Sequence, residues 1–210
     1  HGKPRVTYKE AVRETILHTE TFKRQTGGKG SYAQLAFQIT PSDDEAKGLT
    51  FSSQVKGGAI PKEYISGAEK GFEIAMKNGA YGFPLEALNV TILDGSAHTV
   101  DSDAMSFEIC AKRGFREAIR GAKVAILEPI MRVEIITPDE YVGSVSSDLN
   151  RRRAVVEQVE AKIAFQTIKA LVPLAEMFGY VTALRSLSSG RANYSMEFHS
   201  YAEVPADIKE

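Results

Sequence analysis

Residues 87–120 read Ala87-Leu88-Asn89-Val90-Thr91-Ile92-Leu93, then Asp94-Gly95-Ser96-Ala97-His98-Thr99-Val100-Asp101-Ser102-Asp103, then Ala104 through Arg120. The first segment alternates apolar and polar side chains, the period of a half-buried strand. In the last, Met105, Ile109, Cys110, Phe115 and Ile119 recur at roughly three or four positions, as on one face of a helix. The middle segment is then a loop where a strand hands over to a helix. Gly95 permits a sharp turn, Ser102 or Asp101 can cap the opening amides of the helix, and Asp103 suits the positive end of its dipole. His98 is left at the apex. A single exposed histidine is more often solvated than functional, so its weight depends on the rest of the chain.

Upstream, residues 7–25 place β-branched side chains against charges and read as strand, ending in Thr26-Gly27-Gly28-Lys29-Gly30-Ser31-Tyr32. Residues 33–39 return as a second strand, so the pair is a hairpin with a basic, glycine-rich tip. That tip is not a phosphate-binding P-loop. Lys23 stands where the motif needs a glycine, and Gly30 where it needs a serine or threonine. Residues 43–48 are a polar turn and 49–55 a further strand. A helix begins at Ile60-Pro61, its proline in the first turn where the missing N–H costs nothing, and Asn78-Gly79 stops it. The first domain therefore comprises strands, helix, strand, helix, an α+β sandwich covering residues 1–124.

Downstream, over residues 125–210, the pattern restarts. Strand (126–137), helix (138–150), strand (154–161), strand (162–171), helix (from Pro173 through Leu184) and strand (192–201) follow in turn. That order is βαββαβ, the ferredoxin-like sandwich in which two helices cover one face of a four-stranded sheet. Many functions share the architecture, so it decides little by itself.

The chain has 210 residues, 43% of them hydrophobic, enough to bury a core in each domain. No apolar run reaches the length of a membrane span and no signal peptide is present, which predicts a soluble protein. The opening His1-Gly2-Lys3-Pro4, without an initiator methionine, reads as an excised fragment. Cys110 is the only cysteine, so an internal disulfide and a cysteine metal cluster are excluded. The four histidines lie in different segments without HxxxH or HExxH spacing, which argues against a metal site. Asp94, Asp101 and Asp103 could hold a cation, although capping and turn formation are the commoner role. No nucleophile–base pattern such as GxSxG is present, so the fragment is expected not to be an enzyme.

A net charge of −1 argues against a uniformly basic nucleic-acid binder, but residues 1–35 carry seven Lys and Arg against three Glu, a balance of +4. A second basic cluster is Arg151-Arg152-Arg153, with Lys169, Arg185 and Arg191 in the same domain. One cation is expected at a helix C-terminus because of the dipole, and three exceed that need. Arginines there can grip phosphates bidentately, and Ser186-Leu187-Ser188-Ser189-Gly190-Arg191 adds hydroxyl and backbone donors, a composition suited to an RNA backbone.

Seven segments carry a resemblance: Gly2-Lys3-Pro4, Thr26 to Tyr32, Lys56-Gly57-Gly58-Ala59-Ile60-Pro61, Gly95 to Ser102, Leu127-Glu128-Pro129-Ile130-Met131, Asp148 to Arg153, and Glu176-Met177-Phe178-Gly179-Tyr180. In this order they resemble domains IV and V of bacterial translation elongation factor G. The resemblance implies a ribosome-dependent GTPase parent whose GTP and Mg2+ are held by an N-terminal domain outside this fragment. It implies an α/β sandwich of ribosomal-protein-like βαβ topology for domain IV, ahead of the ferredoxin-like domain V. It further implies a cytoplasmic monomer, with no membrane contact, whose partner is the ribosome.

By similarity, the domain IV tip would reach the small-subunit decoding site during translocation of tRNA and mRNA. Its residues are Gly28, Lys29, Gly30, Ser31 and Tyr32 on one loop and Gly95, Ser96, His98, Val100, Asp101 and Ser102 on the other. Domain V, with Arg151, Arg152, Arg153, Arg185, Ser186 and Arg191, would contact large-subunit rRNA near the sarcin-ricin loop. The chain departs from the family at Ser144, Ser147 and Ala154, where glycines are usual, and at Ala97, where tyrosine is frequent. A tetracycline-resistance ribosomal protection protein or another paralogue, for example one acting in ribosome recycling, shares the plan. Outside the superfamily, a small-molecule kinase or a protein-interaction module remains open. The kinase requires a glycine-rich loop at a helix N-terminus, whereas Gly27 to Gly30 leads into a strand.

Overall fold

The computed structural model describes residues 5–25, 27–43 and 48–208. Thr26, residues 1–4 of the opening motif and most of the expected polar turn at 43–48 lie outside them. The chain divides into two compact units, Lys9–Ile126 and a second made of residues 127–208 together with 5–8. The short segment before Lys9 thus groups with the later unit, where the Tyr201 hydroxyl donates to the Thr7 carbonyl at 3.2 Å.

In the first unit, β1 (Lys9–Val12), β2 (Ile16–Arg24), β3 (Ser31–Pro41) and β4 (Leu49–Ser53) precede helix α1 (Lys62–Ala75), β5 (Leu88–Ser96) and helix α2 (Ala104–Arg120). The sheet runs β2-β3-β5-β4. β4 and β5 are parallel, so α1 is the crossover of a βαβ unit. Alternation in β3 sends Ala33, Leu35, Phe37 and Ile39 into the core, where Ala68 and Phe72 of α1 and Phe107, Ala111 and Phe115 of α2 cover them. The two helices touch backbone to backbone. A Cβ on Gly71 would stand 2.3 Å from the Glu108 carbonyl oxygen, and one on Gly67 2.4 Å from that of Ala104.

Two expectations change here. The single strand expected over 7–25 is two, broken at residues 13–15. The Arg13 amide turns to the Lys123 carbonyl at 2.9 Å, and the Glu14 carboxylate accepts the Lys123 amide at 3.0 Å. In addition, β5 continues to Ser96, so Asp94, Gly95 and Ser96 are strand and the loop starts at Ala97. Ala36 faces Asp94 while Phe37 faces Ile92, leaving Leu93 as an extra residue. That bulge breaks the two-residue period, which is why the alternation stops at Leu93 although the pairing does not.

β6 (Val124–Pro138), which lies in the second unit from Leu127 onward, leads through a 3-10 turn at Asp139–Tyr141 into α3 (Val142–Arg151). Then come β7 (Val155–Ala161), β8 (Phe165–Pro173), α4 (Tyr180–Leu187) and β9 (Asn193–Glu203). The order β7-β8-β6-β9 with antiparallel neighbours is the ferredoxin-like arrangement. Val133, Ile135, Ile168, Ala170 and Val172 meet Val145, Leu149, Tyr180 and Leu184 in its core.

The helix expected from Pro173 to Leu184 is not continuous. Residues Leu174–Glu176 make one 3-10 turn, Gly179 takes φ +73° and α4 starts after it. The left-handed residue ends the first turn and re-aims the chain. Tyr180 is consequently buried, while Phe178 and Val181 are about half exposed.

Candidate functional site

The ends of β3 and β5 are neighbours in the sheet, with Gln34 opposite Ser96, and this brings residues 27–30 and the loop 97–103 to one end of the first unit. Backbone and side chain join them. The Gly30 amide donates to Asp101 Oδ1 at 3.1 Å, and the Tyr32 amide donates to the Asp101 carbonyl at 2.9 Å. The Ser102 hydroxyl donates to the Tyr32 carbonyl at 2.7 Å and accepts the His98 amide at 2.8 Å. From α1, the Tyr64 hydroxyl donates to the Ser102 carbonyl at 3.0 Å. Ser102 is buried, so loss of its hydroxyl would orphan groups on both loops.

Above this link the Tyr32 and His98 rings stack, 3.5 Å between centroids and 3° from parallel. The Tyr32 hydroxyl is bonded to Ser96 Oγ at 2.9 Å, and Ser96 Oγ in turn donates to Gln34. His98 is exposed. Among the described residues its ring nitrogens have no hydrogen-bond partner. Gly28 and Lys29 are exposed too, as is Val100 at 70%, whereas Gly30 is buried against Asp101 and Ser31, half-buried, pairs with Arg24 in the hairpin. Gly30 has to be small because a Cβ there would lie 2.9 Å from the Arg24 carbonyl oxygen. Gly95 is a close approach rather than a turn, its Cβ position lying 2.4 Å from the Gln34 carbonyl oxygen.

The helix cap differs from expectation. Asp103, not Ser102 or Asp101, is the N-cap of α2, accepting the Ser106 amide and hydroxyl, each at 2.7 Å. Those bonds, with Lys29 nearby, hold its carboxyl below the usual carboxylate range against the opposing effect of burial. Asp101 is taken up by Gly30, and Asp94 accepts the next amide, Gly95, at 2.8 Å. Each carboxylate of the trio is thus committed to backbone. Among the described residues no group of three or more His, Cys, Asp or Glu is placed to hold a metal ion. Burial, reinforced by the nearby Glu20 carboxylate, pushes the Cys110 thiol up to about 12, so it stays protonated and inert.

In the second unit the three consecutive arginines separate. Arg153 forks onto both oxygens of buried Glu128, at 2.9 and 3.1 Å, and its Nε reaches Glu176 at 3.0 Å. Arg152 donates to Asp148 and to the carbonyls of Glu176 and Phe178, and lies over the Tyr180 ring. These two guanidiniums tie α3 to the turn before α4. Only Arg151, paired with Asp148, has an exposed side chain, at 78%. The i,i+3 and i,i+4 spacing of Asp148 to Arg151 and Arg152 is legible on a helix, whereas Glu128 and Glu176 have no local signature as partners of Arg153.

Arg151 shares a groove of about 650 Å3 with Gly143, Ser144, Ser147, Asp148 and Leu187. The loop after α4 leaves from that groove. Arg185, Ser186 and Arg191 are exposed, with Arg191 paired to Glu140 at 2.6 Å. Ser188 is buried and pins the turn, donating to the Leu184 carbonyl at 2.6 Å and accepting the Ala192 amide at 3.0 Å.

Comparison with known proteins accords with this architecture. The profile of Elongation factor G, domain IV, matches residues 4–123, and that of the Elongation factor G C-terminus matches residues 125–210. The chain therefore belongs to the elongation factor G family. It is 50% identical over 210 residues to elongation factor G of Cytophaga hutchinsonii, covering all of this chain and 30% of that protein. Over 207 residues it is 50% identical to that of Karelsulcia muelleri, covering 98% of this chain and 30% of that protein. A crystal structure of a Thermus thermophilus protein matches at 35% identity with a TM-score of 0.85, covering 99% of this chain and 31% of the other. The chain thus spans about 30% of the length of the curated relatives it matches. No helix among the described residues is long and apolar enough to cross a membrane.

Proposed function

We propose that this chain is the arm of a ribosomal translocase, its first unit serving as domain IV and its second as domain V. The tip of the first unit enters the decoding-site region of the small subunit and prevents tRNA and mRNA from slipping back. The second unit lies against large-subunit rRNA near the sarcin-ricin loop, with Arg151, Arg185, Ser186 and Arg191 facing it. The observation that carries this reading is the welded pair of tip loops with exposed Lys29 and His98. A tip that must enter and leave an RNA groove repeatedly gains from rigid placement, small residues and few phosphate contacts, because many such contacts bind tightly and salt-dependently.

The chain itself contributes no chemical step. Gly27 to Gly30 runs into β3 rather than a helix N-terminus, and Gly30 follows Lys29, so the loop does not fit GTP and Mg2+. A GTP site in the parent belongs to residues outside this chain, and the parent acts as a cytoplasmic monomer.

In the full-length parent, His98→Ala is expected to slow mRNA movement on ribosomes while ribosome-stimulated GTP hydrolysis continues. Equal loss of both activities would contradict a role confined to the tip. Micromolar GTP binding by this chain in calorimetry would overturn the domain assignment.

A further inference from the structure

The Tyr32–His98 stack joins residues far apart in the chain, and the tip has no evident need of it for packing. Ser102 already holds the two backbones together, yet a tyrosine ring lies flat beneath an exposed imidazole. The platform is fixed along its whole length. The Tyr32 amide is bonded to Asp101, its carbonyl to Ser102 and its hydroxyl to Ser96. The imidazole has no comparable anchor of its own. Without the tyrosine ring, an exposed histidine would sample several rotamers and would lose that freedom only on meeting its target.

We infer that Tyr32 is a positioning residue: its ring holds the His98 imidazole in one orientation, so that the outer ring face and both nitrogens are presented to RNA already ordered. This rests on the translocase reading above and adds a residue that acts through His98 rather than beside it. Preorganisation of this kind removes an ordering cost from every encounter. An aromatic pair contributes roughly 0.5–1.5 kcal/mol, so loss of the stack should slow translocation roughly two- to tenfold.

The test is a double-mutant cycle in the full-length parent, read as single-round mRNA movement at saturating factor with GTP hydrolysis measured alongside. Tyr32→Leu is expected to slow movement two- to tenfold without slowing hydrolysis, and Tyr32→Phe, which keeps the ring and loses the Ser96 bond, to restore most of the rate. In a His98→Ala background Tyr32→Leu should add nothing further. An undiminished additional loss there, or a Phe variant as slow as Leu, would overturn the inference. The imidazole proton signals of His98 in this chain give an independent reading, displaced by the Tyr32 ring current in the parent sequence and in Tyr32→Phe but not in Tyr32→Leu. If His98→Ala itself left translocation untouched, the translocase reading would fail, and the ring-current comparison would still decide whether Tyr32 holds the imidazole.

Discussion

Arg153→Ala should destabilise the second unit far more than its place in a basic cluster suggests. Glu128 is 3% exposed, and both of its oxygens are occupied by the Arg153 guanidinium at 2.9 and 3.1 Å. Removing the arginine strands a buried carboxylate, a change that typically costs about 3–5 kcal/mol. With a urea slope of about 1.5 kcal/mol per molar, the midpoint would fall by about 2–3 M, or the unit would unfold in water. Arg153 also sits at φ +58°, a conformation that glycine tolerates better. Arg153→Gly should therefore lose about 1 kcal/mol less than Arg153→Ala, although the missing pair is the same. Arg153→Lys keeps a charge but not the fork and should fall between the glycine variant and the parent sequence. Urea titration followed by methyl signals of Ile135 and Ile168 reads this unit, and those of Ile39 and Ile92 serve as the internal control in the other. An unchanged midpoint for Ile135 and Ile168 in Arg153→Ala would refute the reasoning and return Arg153 to the surface cations. Arg151→Ala, by contrast, should shift the midpoint less, since the Arg151 guanidinium is largely exposed and buried Asp148 keeps its bond from Arg152 Nε at 2.9 Å.

The remaining predictions concern the first unit. Asp103→Ala should cost about 1 kcal/mol at pH 7 by uncapping α2. Because the folded carboxyl lies below its usual range, its contribution is complete above the unfolded value, about 4, and is lost as pH falls through the folded value; the gap between parent and variant, measured by thermal melts across pH, should close at acid pH. Gly71→Ala should cost about 1–3 kcal/mol, since the added methyl meets the Glu108 carbonyl and forces α1 from α2. The loss should register at Ile39 and Ile92 in urea and leave Ile135 and Ile168 unmoved.

Much of the fold was legible because one periodicity held over a whole element. Ala104 to Arg120 carries the helical spacing from end to end, and the observed α2 has those bounds. The βαββαβ succession was readable because each strand and helix is short and punctuated. Where reading failed, a single residue had changed the local geometry. Leu93 bulges out of register and hides the last strand residues of β5, and Gly179 in a left-handed conformation splits what periodicity joins into one helix. The cap of α2 was misassigned by one or two positions because Asp101, Ser102 and Asp103 are all competent caps. Only the partners each finds elsewhere, Gly30 for Asp101 and the Tyr32 carbonyl for Ser102, leave the task to Asp103.

What the amino-acid order alone determined was most of the elements, their succession in two folding patterns and the pair of loops that carry the family's motifs. Those are consequences of side-chain period, turn chemistry and short motifs, all of which act over a few residues. Which arginine is exposed, which aspartate caps, and that Tyr32 lies under His98 were settled only when the chain closed. Each of those depends on a partner that is distant in sequence, and burial, not proximity along the chain, decides whether a charge or a ring has one.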